Sequence, residues 1–142
     1  MSIWFAAPDL AALNRAQRAT LSGHLGIVFT EVGADFLRAT MPVDARTLQP
    51  MGLLHGGASV ALAESLGSTA ANLCVDRSRY RCVGQEINAN HLRAVRDGDL
   101  VTGTTRPLHL GKRSQVWNIE IVDRNTRLVC VSRLTMAVIE HP

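Results

Sequence analysis

Apolar and polar positions along the chain predict a series of strands interrupted by one long helix. The alternation is clearest from residue 114 to 122, where Trp117, Ile119 and Ile121 fall on one face and polar residues on the other. Similar runs predict five more strands at about 25–32, 36–43, 81–95, 100–108 and 127–139. Two strands, a helix and four strands in this order predict an α+β domain in which an antiparallel sheet wraps one central helix.

The central helix is predicted at about residues 57–74, after a turn that contains proline and glycine. Its apolar residues surround the axis, which is typical of a helix covered on most sides. One charge, Glu64, lies within this run, and a buried carboxylate is unfavourable unless it is paired, hydrogen-bonded or used in chemistry. Small side chains would let a second backbone approach closely: Ala58, Ser59, Ala63, Gly67 and Ser68.

A shorter helical segment is predicted near the start of the chain, at about residues 9–22. Leu10, Leu13 and Leu21 recur at a spacing that suggests helical turns, Asp9 is a suitable N-cap, and Gly23 is expected to end the segment. With 142 residues and no linker-like stretch, the chain is expected to form a single domain over residues 1–142.

Composition and charge narrow the classes of function. The chain is 46% hydrophobic and 19% charged, as in ordinary globular proteins, and its net charge of +3 with 4% aromatic residues predicts no nucleic-acid surface. No apolar run approaches the roughly 20 residues that span a bilayer, and no membrane partner is expected. The N-terminal residues lack the pattern of a secretory signal. Three cysteines without a Cys-x-x-Cys pair argue against a disulfide framework or a metal site, and favour the cytoplasm.

Five segments carry a more specific pattern, and they follow one another in a fixed order. They lie at 41–44 (MPVD), 49–57 (QPMGLLHGG), 62–68 (LAESLGS), 86–91 (EINANH) and 107–111 (PLHLG). Together they resemble the hotdog-fold acyl-CoA thioesterases of the PaaI-like group. Within that group the resemblance is to the branches that hydrolyse 1,4-dihydroxy-2-naphthoyl-CoA in menaquinone biosynthesis and that proofread enterobactin biosynthesis.

The resemblance implies hydrolysis of an acyl-CoA or aroyl-CoA thioester at the interface of a homodimer, with dimers paired into a homotetramer. It implies Glu64 as nucleophile or general base, His55 and the Gly56 N–H around the thioester carbonyl, and Gln49 as an ancillary contact. No cofactor is implied, because CoA is part of the substrate. A helix N-terminus suits the carbonyl, since its free N–H groups and dipole stabilise the developing oxyanion.

The same resemblance implies a set of substrate-binding positions. Arg93, Lys112 and Arg113 are expected to engage the phosphates of CoA. Met51 and Thr69 stand where the resembled enzymes carry other residues, so the acyl group itself is left open. The full set comprises Ser68, Thr69, Gly84, His91, Leu92, Arg93, Ala94, His109, Leu110, Gly111, Lys112, Arg113 and Ser114.

Helix geometry adds a constraint on the site. Gly56 and Glu64 are eight residues apart, which is roughly 12 Å along one helix, so both can hardly reach the same carbonyl. If two central helices pack antiparallel across a two-fold axis, the N-terminus of one meets Glu64 of the other. The spacing therefore predicts a site completed by two copies of the chain.

Several alternatives remain open at this point. Glu64 could be a structural carboxylate paired with an arginine, His55 a helix cap, and His91 and His109 hydrogen-bonded sheet residues. The fold would also suit a non-catalytic acyl-CoA-binding protein or a hydratase. A further alternative is a thioesterase that acts on aryl groups held by a carrier protein, because such a substrate presents the same phosphopantetheine arm as CoA.

Overall fold

Six strands and three helices make up the computed structural model, which describes residues 1–142. The helices are α1 (Leu10–Gln17), α2 (Leu21–His24) and α3 (Gly56–Leu73). The strands are β1 (Val28–Val32), β2 (Leu37–Pro42), β3 (Tyr80–His91), β4 (Leu100–Leu110), β5 (Ser114–Val122) and β6 (Leu128–Glu140). They form one antiparallel sheet in the order β1-β2-β4-β5-β6-β3, and α3 packs against it, which confirms the predicted fold class.

Two strands stop or start three or more residues away from their predicted ends. The first begins at Val28 rather than at residue 25, because Leu25 caps α2 and Gly26 has a positive φ of 74° that strand residues do not adopt. The third ends at His91 rather than at residue 95. There the N–H groups of Leu92 and Arg93 both point to one carbonyl, that of Val129, so the chain leaves the ladder.

The buried face of α3 is built from small residues and leucines that meet the sheet of the same chain. A Cβ atom placed on Gly67 would lie 2.5 Å from Leu134 Cδ2, so the helix and β6 approach as closely as glycine permits. Ala58, Ser59 and Ala63 are buried on this face too. The expectation that the small residues receive a second chain is therefore wrong for all but Ser68, because the chain's own sheet already covers them.

The opposite face of α3 is only half-buried. The N-terminal helices cover part of it, since Ser22 Oγ lies 2.8 Å from Ser65 Oγ. The helix α1 is fixed to the sheet by Asn14, whose carboxamide donates to the Phe29 carbonyl at 2.9 Å and accepts from its N–H at 2.8 Å. The rest of the face remains open, and it carries Glu64.

The strand β3 lies at one edge of the sheet and pairs only with β6. Near its start the side chain of Asn72 holds the backbone of Cys82, accepting from its N–H at 2.9 Å and donating to its carbonyl at 3.0 Å. A bulge between Gly84 and Glu86 then shifts the register. Apart from the contact with Asn72, the outer edge of this 12-residue strand is unpaired. None of the helices has the length and hydropathy needed to cross a membrane.

Candidate functional site

The N-terminus of α3 carries one backbone donor that the chain leaves free. The His55 side chain caps the helix, because its Nδ1 accepts from the Gly57 N–H at 2.8 Å. The N–H groups of Ala58 and Ser59 both donate to the His55 carbonyl. The Gly56 N–H is left without an acceptor in the chain, at the end of the helix where the dipole is positive.

The cap also defines what His55 can offer. Since Nδ1 accepts a hydrogen bond, the neutral imidazole carries its proton on Nε2, which makes Nε2 a donor. The ring is exposed. The capping role considered from the sequence is therefore present, and it leaves the other nitrogen available to a substrate.

Gly56 lies in the wall of a cavity of about 420 Å³. Four predicted binding residues, His91, Leu92, Arg93 and Ala94, lie in the same wall at the end of β3. Gln49 joins them from the preceding loop, where its side-chain oxygen accepts from the Met51 N–H. The structure thus brings together the free helix amide, the ancillary glutamine and one cationic side chain.

Gly56 lies close to His91, a proximity that the sequence did not indicate. A Cβ atom at this position would lie 2.9 Å from His91 Nε2. The imidazole of His91 therefore stands over the start of α3, and glycine makes room for it as well as for a substrate.

Glu64 is the only charged residue in α3, and no other side chain of the chain pairs with it. It is half-buried, and burial raises the pKa of its carboxyl above the ordinary value. The alternative of a structural ion pair with arginine is absent from this chain. An unpaired carboxylate of raised pKa fits a general base, which takes up a proton, or a nucleophile, which attacks the substrate.

The carboxylate of Glu64 lies against β3. A Cβ atom on Gly84 would be 2.5 Å from Glu64 Oε1, so glycine at the bulge leaves the space that the carboxylate occupies. Gly84, expected among the substrate-binding residues, lies beside the predicted catalytic group. Ser68 and Thr69 line a separate cavity of about 260 Å³ next to Glu64.

The remaining predicted residues, His109 to Ser114, span the end of β4, the turn at 111–113 and the start of β5. Gly111 N–H donates to the Ser114 carbonyl at 2.9 Å, and the Val138 N–H donates to the Arg113 carbonyl at 2.9 Å. This turn therefore lies beside the start of β3. His91 and Arg93 are at the other end of that strand, about 30 Å away. Within one chain the two groups of predicted CoA-binding residues are not brought together.

Sequence reasoning missed several residues of these cavities. Ser59, Leu53, Leu54 and Val129 line the cavity at Gly56, and Gln17, Thr20, Leu21 and Ser22 line the cavity at Glu64. The second set is more than 40 residues from Glu64 along the chain. No local motif marks it, because the contact exists only once α1 and α2 pack on α3.

The three cysteines are free thiols, and their environments disfavour the thiolate. Burial raises the pKa of Cys74 to about 12 and that of Cys82 to about 11. Burial raises the pKa of Cys130 as well. A cysteine nucleophile does not fit these surroundings, which leaves Glu64 as the candidate for the attacking or activating group.

A six-stranded antiparallel sheet packed against one long helix is the hotdog architecture, and the free amide and the unpaired carboxylate of α3 are groups that a thioester hydrolase could use. The family model described as the thioesterase superfamily matches residues 51–130. The chain belongs to this superfamily, and the resemblance read from its motifs is confirmed.

Individual relatives match along almost the whole chain. The 1,4-dihydroxy-2-naphthoyl-CoA hydrolase of Escherichia coli is 55% identical over 137 residues, which cover 96% of this chain and 99% of that protein. The proofreading thioesterase EntH of Cronobacter sakazakii is 53% identical over 137 residues, covering 96% and 98%. The crystal structure of a mutant thioesterase from Pseudomonas aeruginosa matches with a TM-score of 0.96 at 51% identity, covering 99% of this chain and 100% of that one.

Proposed function

We propose that the protein hydrolyses acyl-CoA or aroyl-CoA thioesters to the free acid and CoA, at a site shared between two copies of the chain. The observation that carries the proposal is Glu64, a half-buried carboxylate that has no partner in its own chain. The free Gly56 N–H supplies the complementary group, a donor for the carbonyl oxygen. Water is the only co-substrate, so the proposed reaction needs no cofactor.

Glu64 can act in one of two ways. As a general base it takes a proton from water, whose oxygen attacks the thioester carbon, and the Gly56 N–H stabilises the resulting oxyanion. When the C–S bond breaks, the thiolate of CoA recovers that proton from Glu64. As a nucleophile, Glu64 attacks the carbon itself, CoA thiolate leaves, and water then hydrolyses the mixed anhydride. In both routes His55 Nε2–H and the Gln49 side chain orient the carbonyl.

The shared site follows from where the two groups lie. Gly56 and Glu64 are about 12 Å apart along α3 and line different cavities. The unpaired edge of β3 offers a way to join two chains, since an exposed strand of this length is a template for strand pairing. Antiparallel pairing of two β3 strands across a two-fold axis would set Glu64 of one subunit towards Gly56 of the other.

The same pairing would assemble the CoA site. Because β3 runs antiparallel to its copy, the start of one strand lies beside the end of the other. The turn with Lys112 and Arg113 of the partner subunit would then approach His91 and Arg93, which are far from that turn within one chain. Three cationic groups would converge on the CoA phosphates. Exposed apolar side chains at Leu108, Leu110 and Ile139 support a further contact, as in a homotetramer.

The names of two relatives support a proposal for the acyl group of the substrate. The Escherichia coli relative is named for 1,4-dihydroxy-2-naphthoyl-CoA, and EntH is named as a proofreading thioesterase. We propose a related aroyl thioester, of the dihydroxynaphthoyl or hydroxybenzoyl type, for this chain. An aryl group on a carrier protein is the alternative substrate. The three free thiols support action in the reducing cytoplasm.

Thiol release from a panel of thioesters tests this proposal. The panel holds aroyl-CoA, aliphatic acyl-CoA and carrier-protein thioesters, compared by kcat/KM, and we expect an aroyl-CoA to be preferred. Glu64→Gln should remove most turnover and retain CoA-ester binding. Binding without thiol release by the unaltered protein would contradict the proposal, as would near-normal turnover by Glu64→Gln.

Mixed dimers test whether the site is shared. Gly56→Val blocks the approach to the free amide and Glu64→Ala removes the carboxylate, so each variant alone should be inactive. After the two are unfolded together and refolded, half of the dimers are hybrids with one intact site. We expect about a quarter of wild-type activity to return. No recovery, with hybrid dimers demonstrated by mass spectrometry, would place both groups of a site in one subunit.

A further inference from the structure

The small cavity beside Glu64 has one wall formed by α3 and the other by the N-terminal helical segment. Gln17, Thr20 and Leu21 face Ser65, Ser68 and Thr69 across it. A second cavity of about 280 Å³ continues along α3, and it shares Gln17, Ser68 and Thr69 with the first. The two cavities therefore form one groove, and Gln17 lies where they join.

The groups in this groove are polar and uncharged near Glu64. Ser68 and Thr69 direct no side-chain hydrogen bond to another group of the chain. The Thr20 hydroxyl donates to the Gln17 backbone carbonyl at 2.7 Å and lies 3.3 Å from Gln17 Oε1. The carboxamide N–H groups of Gln17 are left without an acceptor. The groove thus presents one free amide and two free hydroxyls.

The backbone around Gln17 is anchored at two points. One turn earlier, Asn14 pairs with both backbone groups of Phe29 and fixes α1 to β1. On the other side, the hydroxyls of Ser22 and Ser65 fix α2 to α3 at 2.8 Å, next to Glu64. These contacts fix the backbone on either side of Gln17 relative to Glu64, so the place from which its carboxamide can reach a ligand is defined.

A site at Glu64 must accommodate two parts of a thioester, the CoA arm and the acyl group. The cavity at Gly56 contains Arg93 and suits the anionic CoA arm. Apart from Glu64 itself, the groove at Gln17 has no charged residue at the Glu64 end, and it suits an acyl group. Ser68 follows Glu64 by four residues, about 6 Å along the helix, so the far end of a ring-sized acyl group would lie beside Ser68 and Gln17.

We propose that the N-terminal helical segment is the outer wall of the acyl site, and that Gln17 selects acyl groups by hydrogen bonding to a polar substituent at their far end. The inference rests on the proposed thioesterase function at Glu64. It assigns a specificity role to a segment outside the matched family region at residues 51–130.

The test compares two substrates that differ by one hydroxyl, 4-hydroxybenzoyl-CoA and benzoyl-CoA. Gln17→Met keeps the length of the side chain and removes the amide. We expect the ratio of the two kcat/KM values to fall about 3- to 10-fold towards benzoyl-CoA, the range for one hydrogen bond. Acetyl-CoA is too short to reach Gln17, so its turnover should stay within about 2-fold. Arg18→Leu, in an exposed neighbour that lines neither cavity, should leave the ratio unchanged.

The outcomes separate this inference from the proposed function. An unchanged ratio in Gln17→Met, with wild-type hydrolysis that still depends on Glu64, would overturn the role of Gln17 alone. An equal fall for all three substrates, acetyl-CoA included, would show a structural role and overturn it too. If the unaltered protein releases thiol from no thioester, the proposed function itself fails.

Discussion

Gly84→Ala tests whether the position of the Glu64 carboxylate governs catalysis. The new Cβ atom would lie 2.5 Å from Glu64 Oε1, whereas ordinary contacts begin near 3.4 Å. Because Gly84 does not have a positive φ, alanine fits the backbone of β3 and the carboxylate must move instead. The required displacement is about 1 Å.

The size of the effect follows from that displacement. A reacting group misplaced by about 1 Å can lose about 100-fold in rate, which corresponds to about 2.7 kcal/mol of transition-state stabilisation. Stability should change little, because the crowded atom is the end of a flexible, half-exposed side chain. We therefore expect kcat to fall about 100-fold with Tm nearly unchanged.

Gly103→Ala is the matched control. Its Cβ atom would also lie 2.5 Å from a neighbour, but that neighbour is Leu66 Cδ1 in the core. Overpacking of this kind typically destabilises by about 1–3 kcal/mol. Tm should fall, and kcat per folded protein should be retained because Gly103 lies away from Glu64.

Three measurements test the prediction: steady-state thiol release gives kcat, thermal unfolding gives Tm, and light scattering gives the assembly state. Light scattering is needed because Gly84 lies on the free edge of β3, and loss of assembly would also lower activity. A Gly84→Ala protein of normal assembly and near-normal kcat would refute the idea that glycine positions the carboxylate.

Three further predictions concern charge and anchoring. Burial raises the pKa of Glu64, so protonation favours folding; this stabilisation is complete below the unfolded-state pKa and is lost as pH rises through the folded-state pKa. Glu64→Gln should therefore raise Tm at about pH 8 and leave it unchanged at about pH 4; equal Tm values at both would contradict this. Asn72→Ala leaves the N–H and the carbonyl of Cys82 without their hydrogen-bond partners, and should lower the free energy of unfolding by about 1–3 kcal/mol in denaturant titrations. An unchanged free energy of unfolding would exclude an anchoring role for Asn72. Arg93→Ala and Lys112→Ala should raise KM more than they lower kcat, and lower kcat at constant KM would argue against phosphate contacts.

Local sequence was sufficient for the strands, for α3 and for the central residue of the candidate site, but not for the N-terminal segment, where two helices form and α2 includes Gly23, the residue expected to end the segment. Alternation in β5, and apolar runs bounded by turn residues elsewhere, located all six strands and α3, because these signals lie within each segment. Glu64 was recognised as a candidate from the sequence around it, because it is the only charged residue in an apolar helix. The helix start at Gly56 followed from the turn and glycines before it.

Tertiary structure decided which groups meet. Gly84 faces Glu64 because β3 carries a bulge at that point and runs past the middle of α3. Ala58, Ser59, Ala63 and Gly67 pack on the chain's own sheet, which helical spacing alone could not distinguish from a contact with a second chain.

The same limit applies to the ends of the site. His91 and Lys112 lie at opposite ends of one sheet because strand direction and order, which no short motif encodes, place them there. Gln17 reaches the Glu64 cavity only through the packing of the N-terminal helices. Sequence by itself thus determined the elements and the chemistry of single residues, whereas distances between residues remote in the chain required the packed fold, since they depend on register and on which faces meet.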